Sequence, residues 1–134
     1  MSLFALDTNI ISYFLKDNEK IQRRIASEKF EGNKLIIPAI SYYETRRGLF
    51  AVNASRKLES FESFCTKNKL SIIDRRVLDA AIAIHVALRR KNRTAADADL
   101  LIAADCIANG YTLVTNNTKH FEPIDGLIYV NWME

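Results

Sequence analysis

Asp7, Glu44 and Asp99 are acidic residues whose positions could bring their carboxylates into one metal-binding pocket. Asp7 ends the apolar run Leu3–Leu6, and Asp99 directly precedes the apolar helical segment Leu100–Ala104. A carboxylate at the edge of a buried segment needs a cation or hydrogen-bond donors, because isolated buried charge is costly. Several converging carboxylates with few basic neighbours imply a hard divalent ion such as Mg²⁺ or Mn²⁺. The sequence therefore predicts an acidic metal site.

Each of these acids also has a purely structural interpretation. Asp7 could cap the helix that follows it, and Glu44 could complete a capping box with Ser41, three residues earlier. Asp97 and Asp99 could be first-turn acids that the helix dipole favours. Capping and metal binding are not exclusive, so local spacing leaves both interpretations open.

Short apolar runs alternate with helical patterns along the chain, which indicates strands joined by helices. The expected strands are Leu3–Leu6, Leu35–Ile37, Lys69–Ile73, Tyr111–Thr115 and an edge strand over Leu127–Val130. Parallel strands need crossover helices, so this alternation predicts an α/β fold with a parallel sheet of four to five strands and helices on both faces. In such sheets ligand sites form at the carboxyl ends of the strands, where Asp7 lies.

The bulk composition is that of an ordinary globular protein. A chain of 134 residues with 49% hydrophobic and 26% charged residues predicts one domain over residues 1–134. The formal net charge of +3 permits phosphate binding without diagnosing it. Cys65 and Cys106 lack the spacing of a disulfide framework or thiolate metal site, and no signal peptide or membrane span is recognised. We therefore expect a cytoplasmic protein.

Four sequence blocks carry a family resemblance: Leu6–Asn9, Ile40–Glu44 with Gly48, Asp99–Ala104 and Leu113–Phe121. Together they resemble the PIN-domain ribonucleases, and above all the VapC toxins of bacterial and archaeal toxin–antitoxin pairs. The resemblance implies a single PIN-like domain in which Asp7, Glu44 and Asp99 hold Mg²⁺ or Mn²⁺. By the same resemblance, polar positions that border the pocket are Thr8, Asn9, Ser41, Thr115 and Asn116.

His120 marks a departure from the family pattern. Related sequences often place a further acid directly before the aromatic residue that is Phe121 here. Asn117, Asp97 or a water molecule could complete the ligand shell instead. His120 could itself be a ligand, a contact to RNA phosphate or a plain surface residue.

The resemblance implies an endoribonuclease that hydrolyses RNA phosphodiester bonds with metal-activated water and needs no side-chain nucleophile. It also implies a cognate antitoxin protein and a homodimer. Arg46 and Arg47 follow Glu44 on one helix and, with His120, are candidate RNA contacts. Apolar contact surfaces are expected on the first two helices and on the Ser55–Phe64 helix, with the residues Ile25, Phe30, Leu58 and Phe61.

Several further residues have two interpretations. The basic run Arg89–Arg93 is either a phosphate contact or a solvated loop. Tyr42 and Tyr43 are either base-stacking rings or core and dimer residues. His85, on the apolar face of its helix, is predicted to be a core or interface histidine without a catalytic role.

The sequence lacks the signatures of two other protein classes, a phosphatase and a nucleotide-binding module. A haloacid dehalogenase type phosphatase needs a second Asp two residues after the first, and that position is Asn9. A nucleotide-binding module needs a glycine-rich phosphate loop, which is absent among only four glycines. The remaining alternative is a catalytically inactive PIN-like module that binds RNA or a protein partner, suggested by the missing acid at His120.

Overall fold

The computed structural model describes residues Met1–Glu134 and contains five strands and seven helices. The strands are β1 (Leu3–Leu6), β2 (Lys34–Pro38), β3 (Lys69–Ser71), β4 (Thr112–Val114) and β5 (Tyr129–Val130). The helices are α1 (Thr8–Leu15), α2 (Glu19–Phe30), α3 (Ala39–Ala51), α4 (Ser55–Lys67), α5 (Arg75–Arg90), α6 (Asp97–Asn109) and α7 (Thr118–Phe121). Each strand lies within or next to a predicted apolar run.

The strands form one sheet in the order β3-β2-β1-β4-β5, and every pair is parallel. The chain first builds outwards from β1 through β2 to β3 and then returns to the other side of β1 for β4 and β5. This reversal opens a crevice between the carboxyl ends of β1 and β4, the usual place of a ligand site in such sheets. The predicted parallel α/β sheet is confirmed.

Alternating strand residues supply the two faces of the core. Ile36 packs into one apolar cluster with residues of α5 and α6, whereas its neighbours Leu35 and Ile37 pack into the other with residues of α1, α2 and α4. Successive strand side chains point to opposite faces, so a fully buried strand must be apolar throughout. The predicted helices on both faces of the sheet are therefore confirmed.

The helix that carries Glu44 begins earlier than predicted. Helix α3 starts at Ala39, its N-cap is Pro38, and no side chain caps it. Ser41 therefore lies inside the helix, fully buried, and its Oγ has no hydrogen-bond partner. The predicted capping box between Ser41 and Glu44 is wrong, because Pro38 ends the strand and the backbone turns directly into the helix.

Two of the four residues predicted to form apolar contact surfaces lie in the core and cannot contact a partner. Ile25 is 5% exposed and Phe61 is fully buried, so both belong to the core, whereas Phe30 is 93% exposed. His85 is exposed and is not a core histidine; it lines an open apolar groove between α5 and α6. None of the helices combines the length and the apolar composition that crossing a membrane requires.

Candidate active site

Asp7 lies at the crevice between β1 and β4 and serves two local purposes. Its Oδ1 accepts a hydrogen bond of 2.8 Å from the backbone N–H of Thr8 at the start of α1. Its Oδ2 accepts a second one of 2.8 Å from the hydroxyl of Thr115, the residue that follows β4. The predicted capping role of Asp7 is therefore confirmed, and the same carboxylate is fixed across the crevice.

Burial raises the pKa of the Asp7 carboxyl group, and the nearby carboxylates of Asp99 and Glu44 raise it further. The hydrogen bonds from Thr115 and Thr8 act in the opposite direction but do not cancel the effect of burial. Asp7 is only 6% exposed, and no basic side chain pairs with it. A divalent cation would offset the free-energy cost of burying the Asp7 charge and would weaken the repulsion between the acids.

Glu44 reaches the same region from α3. Its Oε1 accepts a hydrogen bond of 2.7 Å from the hydroxyl of Thr8, at the start of α1. Thr8 thus contacts two acids, through its backbone N–H to Asp7 and through its hydroxyl to Glu44. This bridge fixes the position of Glu44 relative to Asp7 although the two acids come from separate helices and strands.

Asp99 lies in the first turn of α6, where the positive end of the helix dipole favours a carboxylate. Its Oδ2 is 3.4 Å from Nδ1 of His120 on α7. Burial raises the pKa of Asp99, the charge of His120 lowers it and the carboxylate of Glu44 raises it. The predicted first-turn position is confirmed, and the acid also belongs to the same electrostatic cluster as Asp7 and Glu44.

The three acids influence one another without forming a ready-made metal cage. No three His, Cys, Asp or Glu side chains in the structure are close enough to hold an ion among them. Mg²⁺ keeps several of its waters and is usually bound through one or two carboxylates, so a hydrated ion does not require such a cage. The donor set of Asp7, Glu44 and Asp99, which consists of hard oxygen atoms that repel one another, fits a hydrated divalent ion.

Only some of the other polar residues that were predicted to border the pocket contact an acid in the structure. Thr115 is fully buried and also accepts a hydrogen bond of 3.0 Å from the backbone N–H of Asn117. The amide of Asn116 instead bonds Tyr13 and Asn131, so it ties β4 to α1 and to the C-terminal segment. Asn9 makes no side-chain hydrogen bond, and exposed Asp97 lines the groove between α5 and α6.

The two predicted arginines on α3 have different surroundings. Arg46 forms an ion pair of 3.1 Å with Glu62 on α4 and donates a hydrogen bond to the hydroxyl of Tyr42. Tyr42 in turn stacks on buried Phe61. Arg47 and Tyr43 are both exposed, and the guanidinium lies 4.9 Å from the ring centroid. The exposed pair is free to meet a ligand, whereas Arg46 is engaged within the protein.

A cleft of about 220 Å³ adjoins the acids and was not predicted from the sequence. It lies between α1, α3 and α4, and its lining includes Thr8 and Glu44 together with Lys16 and Lys57. Neither lysine is paired with an acid in the structure. Local sequence carries no signal for these lysines, because their proximity to Glu44 depends on how three helices pack.

Comparison with known proteins identifies the family of the chain and agrees with its fold. The family model described as PIN domain matches residues 4–127. The tRNA(fMet)-specific endonuclease VapC of Shigella flexneri is 31% identical over 140 residues, which covers 98% of this chain and 99% of that protein. Ribonuclease VapC2 of Rickettsia felis is 31% identical over 137 residues, covering 97% and 98% of the two chains.

Solved structures give the same result. The crystal structure of VapBC2 from Rickettsia felis bound to a DNA fragment from its promoter contains a chain that superposes with a TM-score of 0.89 at 26% identity, covering 97% of this chain and 98% of that one. In the DNA-bound VapBC structure from Salmonella typhimurium the TM-score is 0.88 at 27% identity, with coverage of 98% and 99%. The chain therefore belongs to the PIN domain family and is a VapC-type ribonuclease within it.

Proposed function

We propose that this VapC-type ribonuclease is the toxin of a toxin–antitoxin pair and cleaves RNA with the help of Mg²⁺ or Mn²⁺. The observation that carries the proposal is the arrangement of Asp7, Glu44 and Asp99. These acids come from the end of β1, from α3 and from α6 at the carboxyl edge of the sheet, where Glu44 raises the pKa of both Asp7 and Asp99 and Asp99 raises that of Asp7. Their mutual repulsion is what a bound divalent cation would relieve.

Asp7, Glu44 and Asp99 would hold a hydrated ion, partly through its water molecules, and other side chains would hold the acids. Thr115 and the N–H of Thr8 fix both oxygens of Asp7, and the hydroxyl of Thr8 orients Glu44. When bound, a divalent ion activates water and stabilises the charge that develops on the phosphate. Each side chain in this arrangement would bind the ion or orient another side chain, so none of them would act as a nucleophile.

Substrate binding would use cations and an aromatic ring on the surface around Glu44. The exposed Tyr43 and Arg47 pair lies one residue before and three residues after Glu44 on α3. Lys16 and Lys57 line the cleft that Glu44 also lines. An aromatic ring can stack on an RNA base, and free cations can neutralise its phosphates. The Shigella flexneri relative is named for tRNA(fMet), which makes that RNA the first substrate to test.

The partners proposed for this chain are a cognate antitoxin protein and a second copy of the chain. The antitoxin follows from the VapBC complexes that the chain resembles. For the homodimer we propose the exposed face of α5, where Leu78, Ile82 and Val86 recur at intervals of four residues beside the groove between α5 and α6. Residues at this spacing form one stripe along a helix. RNA substrates and two free cysteines, Cys65 and Cys106, favour a cytoplasmic location.

The test removes one carboxylate charge while keeping the side-chain shape. We expect Asp7→Asn to abolish metal-dependent cleavage of RNA and to weaken calorimetrically measured Mn²⁺ binding. Asp125→Asn is the matched control, because Asp125 is an exposed acid whose partner is Lys91, outside the proposed pocket. Full cleavage by the Asp7 variant would refute the proposed site.

The alternative function is a catalytically inactive PIN-like module that binds RNA or a protein partner. It is favoured by one observation, that the residue directly before Phe121 is His120 and not a fourth acid. Such a module would bind no Mn²⁺ in a manner that depends on Asp7 and Asp99. The same titration therefore distinguishes the two functions.

A further inference from the structure

His120 contacts an acid of the pocket and could offer a metal ion a nitrogen atom. It lies on α7, which begins shortly after β4, and so at the same edge of the sheet as Asp7. Its Nδ1 is 3.4 Å from Oδ2 of Asp99. The imidazole makes no other ion pair, and its side chain is 60% exposed, so it is free to adjust its position.

The distance between His120 and Asp99 suits two ligands of one ion. A charge-assisted hydrogen bond between nitrogen and a carboxylate oxygen is about 2.7–2.9 Å long, shorter than the 3.4 Å observed here. Two donor atoms that each lie about 2.1 Å from a shared ion are roughly 3.0–3.4 Å apart, depending on the angle at the ion. The pair is therefore already spaced as neighbouring ligands would be.

Nitrogen and oxygen donors select different ions. Mg²⁺ prefers carboxylate, carbonyl and water oxygens, whereas imidazole suits transition metals, and affinity generally rises from Mn²⁺ to Co²⁺ and beyond. We infer that His120 supplies a nitrogen ligand to the ion held by Asp99, so that this chain favours transition-metal ions over Mg²⁺. The inference rests on the proposed metal-dependent function and adds the chemical class of the cofactor.

A simpler interpretation of the same contact is that His120 is only a counter-charge for Asp99. If His120 is only a counter-charge, replacing it with a neutral or acidic side chain changes the affinity for every divalent ion in the same direction. A lost nitrogen ligand instead changes the ratio between the affinities for Co²⁺ and Mg²⁺. The ratio therefore distinguishes a ligand from a neighbouring charge.

The experiment compares the wild type with His120→Asp and His120→Gln by calorimetric titration with Mg²⁺, Mn²⁺ and Co²⁺. The matched control is His85→Gln, because His85 is the only other histidine and lines the groove between α5 and α6. We expect His120→Asp to lower the Co²⁺ to Mg²⁺ affinity ratio at least about tenfold, with a smaller decrease for Mn²⁺, on the scale of known ligand-sphere substitutions. The control keeps the wild-type ratios.

Pulsed electron paramagnetic resonance of bound Mn²⁺ gives a second readout that does not depend on activity. We expect a ¹⁴N coupling from a directly bound imidazole in the wild type and in His85→Gln, and its loss in both His120 variants. Unchanged affinity ratios, or a ¹⁴N coupling that survives in His120→Gln, would overturn the inference. Circular dichroism establishes that each variant is folded, as expected for a change at an exposed ring.

Failure of this inference differs from failure of the proposed function. If the wild type binds Mn²⁺ through Asp7 and cleaves RNA while the His120 variants keep its metal preference, only the nitrogen ligand is refuted. If the wild type binds neither Mn²⁺ nor Co²⁺, both the proposed metal-dependent function and the nitrogen ligand are refuted.

Discussion

The hydrogen bond from Thr115 to Asp7 offers a quantitative test of how the pocket is held together. Thr115→Val keeps the shape of the side chain and removes its hydroxyl, which is fully buried and donates to Asp7 Oδ2 at 2.8 Å. Asp7 would keep only the N–H of Thr8 as a donor. A hydrogen bond to a charged group contributes about 1.5–3 kcal/mol, so we expect the free energy of unfolding to fall by that amount.

The part of the loss that comes from the bond to Asp7 depends on pH because it requires ionised Asp7, whereas loss of the bond from the Asn117 N–H to the same hydroxyl adds a part that does not. Burial raises the pKa of Asp7, so ionisation of this group destabilises the folded state, and the bond from Thr115 offsets part of that effect. Removing the bond raises the pKa further. The difference in stability between wild type and variant is therefore largest at neutral pH and shrinks as the pH falls through the Asp7 pKa.

The assay is thermal and urea unfolding of the metal-free protein at pH 7.5 and at successively lower pH values. A loss of this size corresponds to a decrease in melting temperature of roughly 5–15 °C for a chain of this length. Thr115→Ser is the matched control, since it keeps the hydroxyl and removes one methyl group, worth about 0.8 kcal/mol. A Thr115→Val loss that does not change with pH, or one that Thr115→Ser reproduces in full, would refute the reasoning.

Three other changes test separate parts of the molecule. Thr8→Val removes the hydroxyl that orients Glu44, and we expect at least about tenfold slower RNA cleavage with the fold retained, checked by kinetics and circular dichroism. Asp105 is 1% exposed and burial raises its pKa, so ionising it in the folded state costs free energy. Asp105→Asn should therefore become more stable than the wild type in urea unfolding as the pH rises through the raised pKa of this carboxyl group. Ile82→Glu places a charge on the exposed face of α5 and should convert the proposed dimer to a monomer in sedimentation, whereas Phe30→Glu on α2 should not.

The alternation of apolar runs and helices was enough to predict the parallel sheet. The run Leu35–Ile37 is apolar at every position, and the structure buries this segment between helices on both faces. The N-cap position of Asp7 and the first-turn position of Asp99 were also predictable, because each depends only on the residues next to it. Local chemistry determines local structure at these positions.

The predicted capping box of Ser41 and Glu44 is wrong, because a second local signal competes with it. Ser41 and Glu44 have the spacing of that motif, but the N-cap of the helix is Pro38, three residues before Ser41. Two competing local signals were present, and the sequence does not indicate which one prevails. As a result Glu44 does not bond to its own helix start, and its carboxylate accepts a hydrogen bond from Thr8 instead.

The amino-acid sequence by itself determined the succession of strands and helices along the chain, since periodicity is a local property, and its resemblance to a known family pointed to the three acids. The tertiary structure alone decided that Thr115 holds Asp7, that Thr8 joins Asp7 to Glu44 and that His120 faces Asp99. These contacts span between 21 and 108 positions of the chain, apart from the one between adjacent Asp7 and Thr8. Distances across such separations are fixed by sheet order and helix packing, which no local pattern encodes.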